Sequence, residues 1–254
     1  MSFQLDSAGV FRLEAWQRLP WLLHGFTTRH SGDFAGLAPD PEALRRLGAD
    51  GMPLTTVRQV HSDRIRLLAA GESAWEPSSR PEADAMVSAL AGRLLGVRTA
   101  DCLPLLLVDR GRRAVAAIHA GWRGTHQQIA ARAVEAMRTH FGSAPHDLEA
   151  AIGPGIKACC FEVGPEVAEQ FDSSLVLAPE PGVASSGESR EKSRQKPHLD
   201  LVEANRRQLQ EQGIPERAVW SSIHCTCCRE ADFFSYRRGG DTARMLAFIG
   251  IKAA

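Results

Sequence analysis

Residues 94–125 of the chain read LLGVRTADCLPLLLVDRGRRAVAAIHAGWRGT, and this stretch decides the fold. It contains three short runs of strand character, Leu94–Thr99, Leu103–Asp109 and Arg113–His119, separated by residues that are typical of turns. The middle run is almost wholly apolar, which predicts a strand covered on both of its faces. The stretch therefore predicts the centre of a β-sheet that lies inside the molecule.

The residues that follow this stretch predict a helix. Thr125 and Gln128 form a Thr-x-x-Gln pattern, which is typical of a capping box at a helix N-terminus. Gly142 follows the last apolar position and is the expected stop. The apolar residues between these signals recur at helical spacing: Ile129, Ala133, Val134, Met137 and Phe141.

Strand and helix signals alternate along the rest of the chain. A second helix is predicted from about Leu201 to Gln212, with Asp200 and Glu203 as its capping box and Gly213 as its stop. Further strands are predicted at Asp84–Leu90, Leu148–Gly153, Ala218–Ile223 and Met245–Ile249. The alternation predicts an α/β fold over residues 1–254, a single layered α/β sandwich with a mixed β-sheet.

One segment departs from globular composition. Pro179–Pro197 is rich in Pro, Gly, Ser and charged residues and offers no apolar side chains to a core. We expect a mobile surface loop there. A linker between two domains is the alternative, but little chain follows for a second large core.

The composition excludes several classes of protein. The chain has 254 residues, and its 30 Lys and Arg residues balance its 30 Asp and Glu residues. A neutral chain lacks the positive surface of a general nucleic-acid binder. Its apolar runs, such as Leu103–Val108, are far shorter than the ~20 residues of a membrane-spanning helix, and its first residues do not form a signal peptide. We therefore expect a cytoplasmic protein, without nucleic-acid or membrane partners, and a monomer.

Three residues stand out as metal ligands. His61, Cys102 and His119 each lie where a predicted strand meets a turn, the position at which α/β domains gather their sites. Two histidines and one cysteine suit Zn²⁺, and three ligands from separate elements leave a fourth position open, as in catalytic zinc sites. Copper would occupy the same ligands. The alternative is that both histidines are core or turn residues and Cys102 is a buried thiol.

The turn after His119 suggests an anion site. Gly121, Trp122, Arg123 and Gly124 lead into the predicted helix, whose free N–H groups would attract a phosphate held by Arg123 and Gly124. The alternative is that the glycines only permit a tight turn.

The remaining cysteines are grouped as Cys159–Cys160 and Cys225–Thr226–Cys227–Cys228. Adjacent cysteines form disulfides with each other only under strain, and a reducing compartment favours thiols. The second group, together with His224, raises the possibility of a second metal site. Its donors are too crowded for all to bind one ion, and we favour packing thiols.

Several motifs together resemble those of a known family. The chain contains, in order, QVHSDRI, ADAMVSA, VRTADCLPLLLVD, AAIHAGWRGT, AIGPGIKACCFEVG, LDLVEANRRQL and FFSYRR. These motifs resemble those of the YfiH-like laccase-domain family. The resemblance covers the chain from about Gly25 to Met245. The resemblance implies a layered α/β sandwich, similar to a bacterial toxin catalytic domain with a Cys-His pair. It also implies a metal site at His61, Cys102 and His119.

The resemblance implies purine nucleoside chemistry. Members are described as polyphenol oxidases and as purine nucleoside phosphorylases with adenosine deaminase and methylthioadenosine phosphorylase activity, and bacterial members are linked to peptidoglycan editing. This chain departs from the family in a shortened loop after Arg29 and in Thr242-Ala243-Arg244, where the family usually has Thr-Gly-Arg. The shortened loop raises the possibility of a different specificity.

The number and spacing of the histidines argue against one of these activities, the oxidation of polyphenols by a multicopper site. A multicopper oxidase needs about ten histidines, largely as His-x-His pairs, whereas this chain has 9, none so paired. On the basis of the resemblance we predict a zinc-dependent purine nucleoside phosphorylase that acts on adenosine and inosine with inorganic phosphate, with deaminase and methylthioadenosine activity as further expectations. Asp84 and Asp101 lie near the motifs, where an Asp serves either as a general acid or as a brace for a turn or a ligand histidine. The alternative is a cysteine hydrolase or amidase in which Cys102 is the nucleophile and His119 its base. A metal-dependent binding module without turnover is a third reading.

Overall fold

The computed structural model describes residues 2–36, 40–69, 71–72, 79–178 and 196–253. Its strands are β1 (Phe3–Leu5), β2 (Val10–Leu13), β3 (Leu22–Thr27), β4 (Leu54–Thr55), β5 (Ile65–Leu67), β6 (Ala85–Ser88), β7 (Arg93–Thr99), β8 (Leu103–Asp109), β9 (Ala114–Ala120), β10 (Leu148–Ile152), β11 (Val176–Leu177), β12 (His198–Leu199), β13 (Val219–Ser221) and β14 (Met245–Ile251). Its α-helices are α1 (Glu14–Gln17), α2 (Pro41–Arg46), α3 (Trp122–His126), α4 (Ile129–Phe141), α5 (Pro165–Ala168), α6 (Leu201–Glu211) and α7 (Tyr236–Gly239). The predicted loop at 179–197 lies outside the described residues except for its last two.

The strands form two mixed six-stranded sheets and a small two-stranded one. The first sheet has the order β1-β2-β3-β14-β7-β4, and the second has the order β13-β10-β8-β9-β6-β5. Most neighbours are antiparallel, but β4 is parallel to β7, β5 to β6 and β13 to β10. The predicted α/β class is confirmed, and the strands expected in one mixed sheet divide between two.

Alternation along β8 explains how the layers stack. Leu106 and Val108 pack between the two sheets, against side chains of β7 and β14. Leu105 and Leu107 point the other way, into a core shared with α4 and α6. A third cluster covers the outer face of the first sheet with α2. The apolar run Leu103–Val108 is therefore buried on both faces, as predicted, in a helix–sheet–sheet–helix sandwich.

The predicted start of the long helix is wrong. Residues 122–141 form two helices, α3 and α4, with Gln128 between them in the left-handed region at φ 62°. Thr125 lies inside α3, where its Oγ1 accepts a hydrogen bond from Asn205 Nδ2 at 2.9 Å, so it caps nothing. The predicted stop is confirmed, since Gly142 ends α4 in the left-handed region at φ 66°.

The second predicted helix is confirmed, but its capping box is only half formed. Asp200 Oδ1 accepts the Glu203 backbone N–H at 3.0 Å. The Glu203 carboxylate does not return the bond. It binds Arg206 and Arg207 instead, while the Asp200 N–H donates to the Leu175 carbonyl.

No helix in the described part of the chain combines the length and the apolar character needed to cross a membrane.

Candidate functional site

The three predicted ligands come together at one end of the second sheet. His61 lies in the turn between β4 and β5, Cys102 immediately precedes β8, and His119 is near the end of β9. One donor atom of each lies within 4.8 Å of the other two, and Cys102 Sγ is 3.8 Å from His61 Nε2. The two imidazole rings meet edge to face with centroids 4.9 Å apart. We call these residues the donor triad.

Asp84 holds the two histidines of the donor triad in place. Its Oδ1 lies 2.8 Å from His119 Nδ1 and accepts the backbone N–H of His61 at 3.0 Å. Its Oδ2 accepts the backbone N–H and the hydroxyl of Ser62 at 2.6 and 2.7 Å. Burial by itself raises the pKa of Asp84, but the hydrogen bonds from His119 and Ser62 outweigh it and lower the pKa to about 2. A carboxylate only accepts hydrogen bonds, so Nδ1 of His119 carries a proton and Nε2 is the nitrogen that a metal would bind.

The donor set fits a zinc ion. Tetrahedral Zn²⁺ with bonds of about 2.0–2.3 Å places neighbouring N and S ligand atoms roughly 3.5 Å apart, close to the 3.8 Å between His61 and Cys102. Asp84 supplies the carboxylate that commonly orients a ligating histidine from behind. His61, Cys102 and His119 would hold the metal, and the cavity side would leave the fourth position open.

Electrostatics favour the thiolate form of Cys102. Burial raises the pKa of this thiol, but the charges and hydrogen bonds of His119 and His61 overcome burial and lower the pKa to about 6. Burial correspondingly lowers the pKa of His119, and the Cys102 thiolate and Asp84 raise it to about 9. A thiolate is the form of cysteine that binds metals and that attacks electrophilic carbon.

The glycines of the HAGWRG motif let the chain approach the donor triad closely. A Cβ at Gly121 would lie 3.0 Å from His61 Cδ2 and 3.1 Å from Cys102 Sγ, and one at Gly124 would lie 3.0 Å from the Ser62 carbonyl. Arg123 is exposed, and its guanidinium lies 4.3 Å from the centre of the Trp122 ring. The phosphate role predicted for Arg123 and Gly124 stays a prediction, and neither residue lines the cavity beside the triad.

A cavity of about 560 Å³ opens onto the donor triad. Its walls combine residues from both sheets, with aromatic side chains on one side and arginines around the rim. Besides the triad, its lining includes Ala35, Arg58, Gln59, Arg98, Ala100, Asp101, Ile156, Phe161, Tyr236, Arg237, Thr242 and Arg244.

Three of the arginines are held by backbone carbonyls rather than by carboxylates. Arg98 donates to the carbonyl of Ala35, Arg237 to that of Glu162, and Arg244 to those of Asp241 and Ala243. Within the described ranges, none of the three forms an ion pair with a carboxylate. Burial and the nearby positive charges of Arg80 and Arg244 lower the pKa of Arg98. The second of these causes shows that several positive charges lie close together at this wall. Such a wall attracts an anion.

Asp101 and Gln59 position these arginines. Asp101 adopts a left-handed backbone, φ 91°, and its Oδ2 accepts the backbone N–H of Arg237 at 2.7 Å. The Gln59 side-chain amide donates to the Arg98 carbonyl at 2.8 Å and accepts the Arg98 N–H at 2.9 Å. Asp101 therefore braces a turn, one of the two roles that the sequence left open.

Sequence reasoning missed the arginine wall. Arg98, Arg237 and Arg244 are single residues in three separate segments, and nothing in their spacing brings them together. The available signal was that Arg98 and Arg237 fall inside VRTADC and FFSYRR, two of the motifs that carried the resemblance.

Residues 40–252 match the family described as multi-copper polyphenol oxidoreductase laccase. The chain belongs to this family. A purine nucleoside phosphorylase named YlmD, from Geobacillus stearothermophilus, is 43% identical over 271 residues, covering 98% of this chain and 96% of its own. A protein named adenosine deaminase RL5, from an unknown prokaryotic organism, is 39% identical over 206 residues, covering 77% of this chain and 73% of its own.

A solved structure of this laccase-like family confirms the fold. The crystal structure of the Bacillus licheniformis protein YfiH superimposes with a TM-score of 0.83 at 29% identity, over 98% of this chain and 99% of that one. The resemblance to the YfiH-like family inferred from the motifs is thus confirmed. The relatives' names place the chain in a family that processes purine nucleosides.

Proposed function

We propose that this chain is a zinc-dependent purine nucleoside phosphorylase that acts on adenosine and inosine. The observation that carries the proposal is the wall formed by Arg98, Arg237 and Arg244, which lack carboxylate partners in the described structure and line the same cavity as the donor triad. A hydrolase needs only water beside its substrate, whereas phosphorolysis needs a bound phosphate. The names of the relatives agree with this assignment.

The cavity offers a place for each part of the substrates. Arg98 and Arg244 are suited to hold the phosphate, because guanidinium groups bind its oxygens in pairs. Tyr236 lines the cavity and is 66% exposed, so it offers a face on which a purine can stack. The ribose would then lie between the purine and the phosphate, with its anomeric carbon facing the phosphate. A zinc ion held by the donor triad would act as a Lewis acid toward substrate oxygens.

The reaction balances without a further co-reactant. A phosphate oxygen forms a bond to C1′ as the bond from C1′ to the purine nitrogen breaks, and the purine takes up the proton that the phosphate loses. The products are the free base and ribose 1-phosphate. The arginines would hold the phosphate in line with the breaking bond, and placing the two reactants together lowers the barrier.

Phosphate dependence tests the proposal. Adenosine and inosine are incubated with the protein with and without phosphate, and the products are separated by chromatography. We expect base and ribose 1-phosphate only when phosphate is present. Equal base release without phosphate would show a nucleoside hydrolase and refute the phosphate site.

Variants locate that phosphate site. Arg98→Met and Arg244→Met should raise KM for phosphate roughly 10- to 100-fold, the value of one or two charge-assisted hydrogen bonds, with a smaller change for the nucleoside. Arg123→Met is the matched comparison, because Arg123 was the sequence-based candidate. If only Arg123→Met raises the phosphate KM, the anion binds at the HAGWRG turn and the arginine wall has another role.

Two further activities belong to the same proposal. Deamination of adenosine and phosphorolysis of methylthioadenosine would use the same cavity, and a relative is named adenosine deaminase. Deamination consumes water rather than phosphate, so inosine should form from adenosine even in phosphate-free buffer. We also propose that the protein is cytoplasmic and monomeric.

The second candidate function is a cysteine hydrolase or amidase that acts in peptidoglycan editing. Cys102, His119 and Asp84 stand in the order of a nucleophile, a base and an orienting carboxylate. Cys102→Ala and His61→Ala separate the two functions. A zinc site predicts that both variants lose zinc and turnover together. A nucleophile predicts that Cys102→Ala loses turnover at unchanged zinc content and that His61→Ala matters little.

A further inference from the structure

Four thiols converge at the second sheet in a group that shares no residue with the donor triad. Cys159 and Cys160 lie in the turn after β10, and Cys225 and Cys228 lie in the turn after β13. The four Sγ atoms all lie within 4.8 Å of one another. Cys228 Sγ is 3.2 Å from Cys160 Sγ and 3.5 Å from Cys159 Sγ. We call this group the thiol cluster.

The topology of the sheet brings the two turns together. Strands β10 and β13 are parallel neighbours, so their carboxyl ends emerge at the same edge. A bridge between Gly155 and Cys225 extends this pairing into the turns. Each turn is closed by its own backbone bond, from Cys160 N–H to the Lys157 carbonyl and from Arg229 N–H to the Cys225 carbonyl. The four thiols therefore converge because the backbone places them.

The surroundings of Cys225 suit an anionic sulfur. The backbone N–H of Lys157 donates to Cys225 Sγ at 3.5 Å. The Lys157 ammonium lies in the same turn, where it donates to the Ser222 carbonyl. An N–H donor and a nearby cation both stabilise thiolates.

The arrangement matches a tetrahedral metal site better than a disulfide. With Zn–S bonds of about 2.3 Å, tetrahedral zinc places its sulfur ligands roughly 3.8 Å apart. The thiol cluster shows S···S distances of 3.2, 3.5 and 3.8 Å. A disulfide would join two sulfurs and leave the other two without a function, whereas tetrathiolate coordination uses all four.

We propose that the thiol cluster binds one structural zinc ion as a Cys₄ site, separate from the donor triad. Binding displaces the thiol protons, so four Zn–S bonds replace the S–H bonds and no electron is transferred. The site is closed, because four protein ligands leave no open position for a substrate. Cys227, in the same turn, is not one of the ligands.

The ion would brace one wall of the cavity. The first turn continues into Phe161, which lines the cavity. In the second turn, Thr226 Oγ1 donates to Asp101 Oδ1 at 2.7 Å, and Asp101 in turn holds the backbone of Arg237. Zinc at the thiol cluster would fasten these two turns to each other.

Zinc content tests this proposal independently of nucleoside turnover. Wild-type protein purified without chelator should carry two zinc ions per chain by elemental analysis. Cys228→Ser should carry one, and so should His61→Ala, which removes a ligand from the donor triad instead. The double variant should carry none. Cys227→Ser is the matched control and should keep both ions.

A spectroscopic measurement covers the case in which Cys228→Ser does not fold. His61→Ala protein loaded with Co²⁺ should show the sulfur-to-metal charge transfer and the intense visible bands of a tetrahedral tetrathiolate. The proposal would be overturned if wild type carried one zinc ion and His61→Ala carried none. A cobalt spectrum without thiolate bands would overturn it too. A Cys160–Cys228 disulfide found by mass spectrometry in freshly purified protein would overturn it as well. If the protein showed no phosphorolysis, the expected zinc contents would stay the same. The zinc proposal and the phosphorylase proposal can therefore be refuted independently.

Discussion

At the scale of single residues, the donor triad depends on the absence of a side chain at Gly121 as well as on its three ligands. Gly121 adopts φ −76° and ψ 173°, a conformation open to any residue. Its lack of a side chain matters because His61 and Cys102 occupy the space that a Cβ would enter. The glycine is therefore required for steric reasons and not for backbone freedom.

Gly121→Ala should weaken metal binding without unfolding the protein. The added Cβ would displace the His61 ring or the Cys102 sulfur by a few tenths of an ångström, and misplaced ligands typically cost 10- to 100-fold in metal affinity. Competition with a chromophoric chelator measures this loss. Gly239→Ala is the control, since a Cβ there meets nothing within 4 Å. Equal zinc affinity in both variants would mean that the triad adjusts freely.

His24 carries a pH dependence of stability that is independent of the site. The side chain is 2% exposed, and its Nε2 accepts the Leu13 N–H at 2.9 Å. Burial and the charge of Arg12 lower its pKa from 6.5 to about 3. Protonation would break the bond from Leu13, so folded His24 stays neutral while the unfolded chain binds a proton below pH 6.5.

The His24 contribution should therefore be complete above about pH 6.5 and be lost as the pH falls toward 3. Between pH 6.5 and about pH 5 the loss is about 2 kcal/mol. Urea unfolding of wild type and His24→Gln at both pH values measures it. The stability advantage of wild type should shrink by that amount in acid, and the shared titration of other groups cancels in the difference. An advantage that is the same at both pH values would contradict the assignment.

At the scale of elements, the sequence predicts what local chemistry controls. Gly142 ends α4 and Asp200 begins α6, because caps act within a few residues. The break between α3 and α4 was not predictable, because Thr125 is bonded to Asn205, 80 positions away. A local capping pattern cannot reveal such a partner.

The division into two sheets has a similar cause. Strands β7 and β8 follow each other after only three residues, yet they lie in different sheets. The chain crosses between the sheets at Asp101, whose left-handed backbone is held by Thr226, Ser235 and Arg237. Those partners lie more than a hundred positions away. The sequence placed Cys102 at the junction of a predicted strand and a turn, but it did not reveal that the chain crosses between the sheets there.

At the scale of the whole molecule, the cavity lies at the seam between the sheets. The donor triad belongs to the second sheet, while Arg98 lies in β7 and Arg244 directly precedes β14, both in the first. The metal and the anion would thus be held by different layers. Their relative position depends on the apolar core between the sheets, which includes Leu95, Leu106 and Ile249.

This shared core predicts that both sheets unfold together. Separating them would expose the apolar faces of both, so thermal unfolding followed by far-UV circular dichroism and by tryptophan fluorescence should give coincident transitions. Leu106 is fully buried in the core between the sheets, and Leu106→Ala should destabilise the protein by about 2–5 kcal/mol, lowering both midpoints equally. Leu177→Ala is the control, since Leu177 is 45% exposed and should cost under ~0.5 kcal/mol. Two separate midpoints in the Leu106→Ala protein would show that the sheets are independent domains and that the seam is only a contact between them.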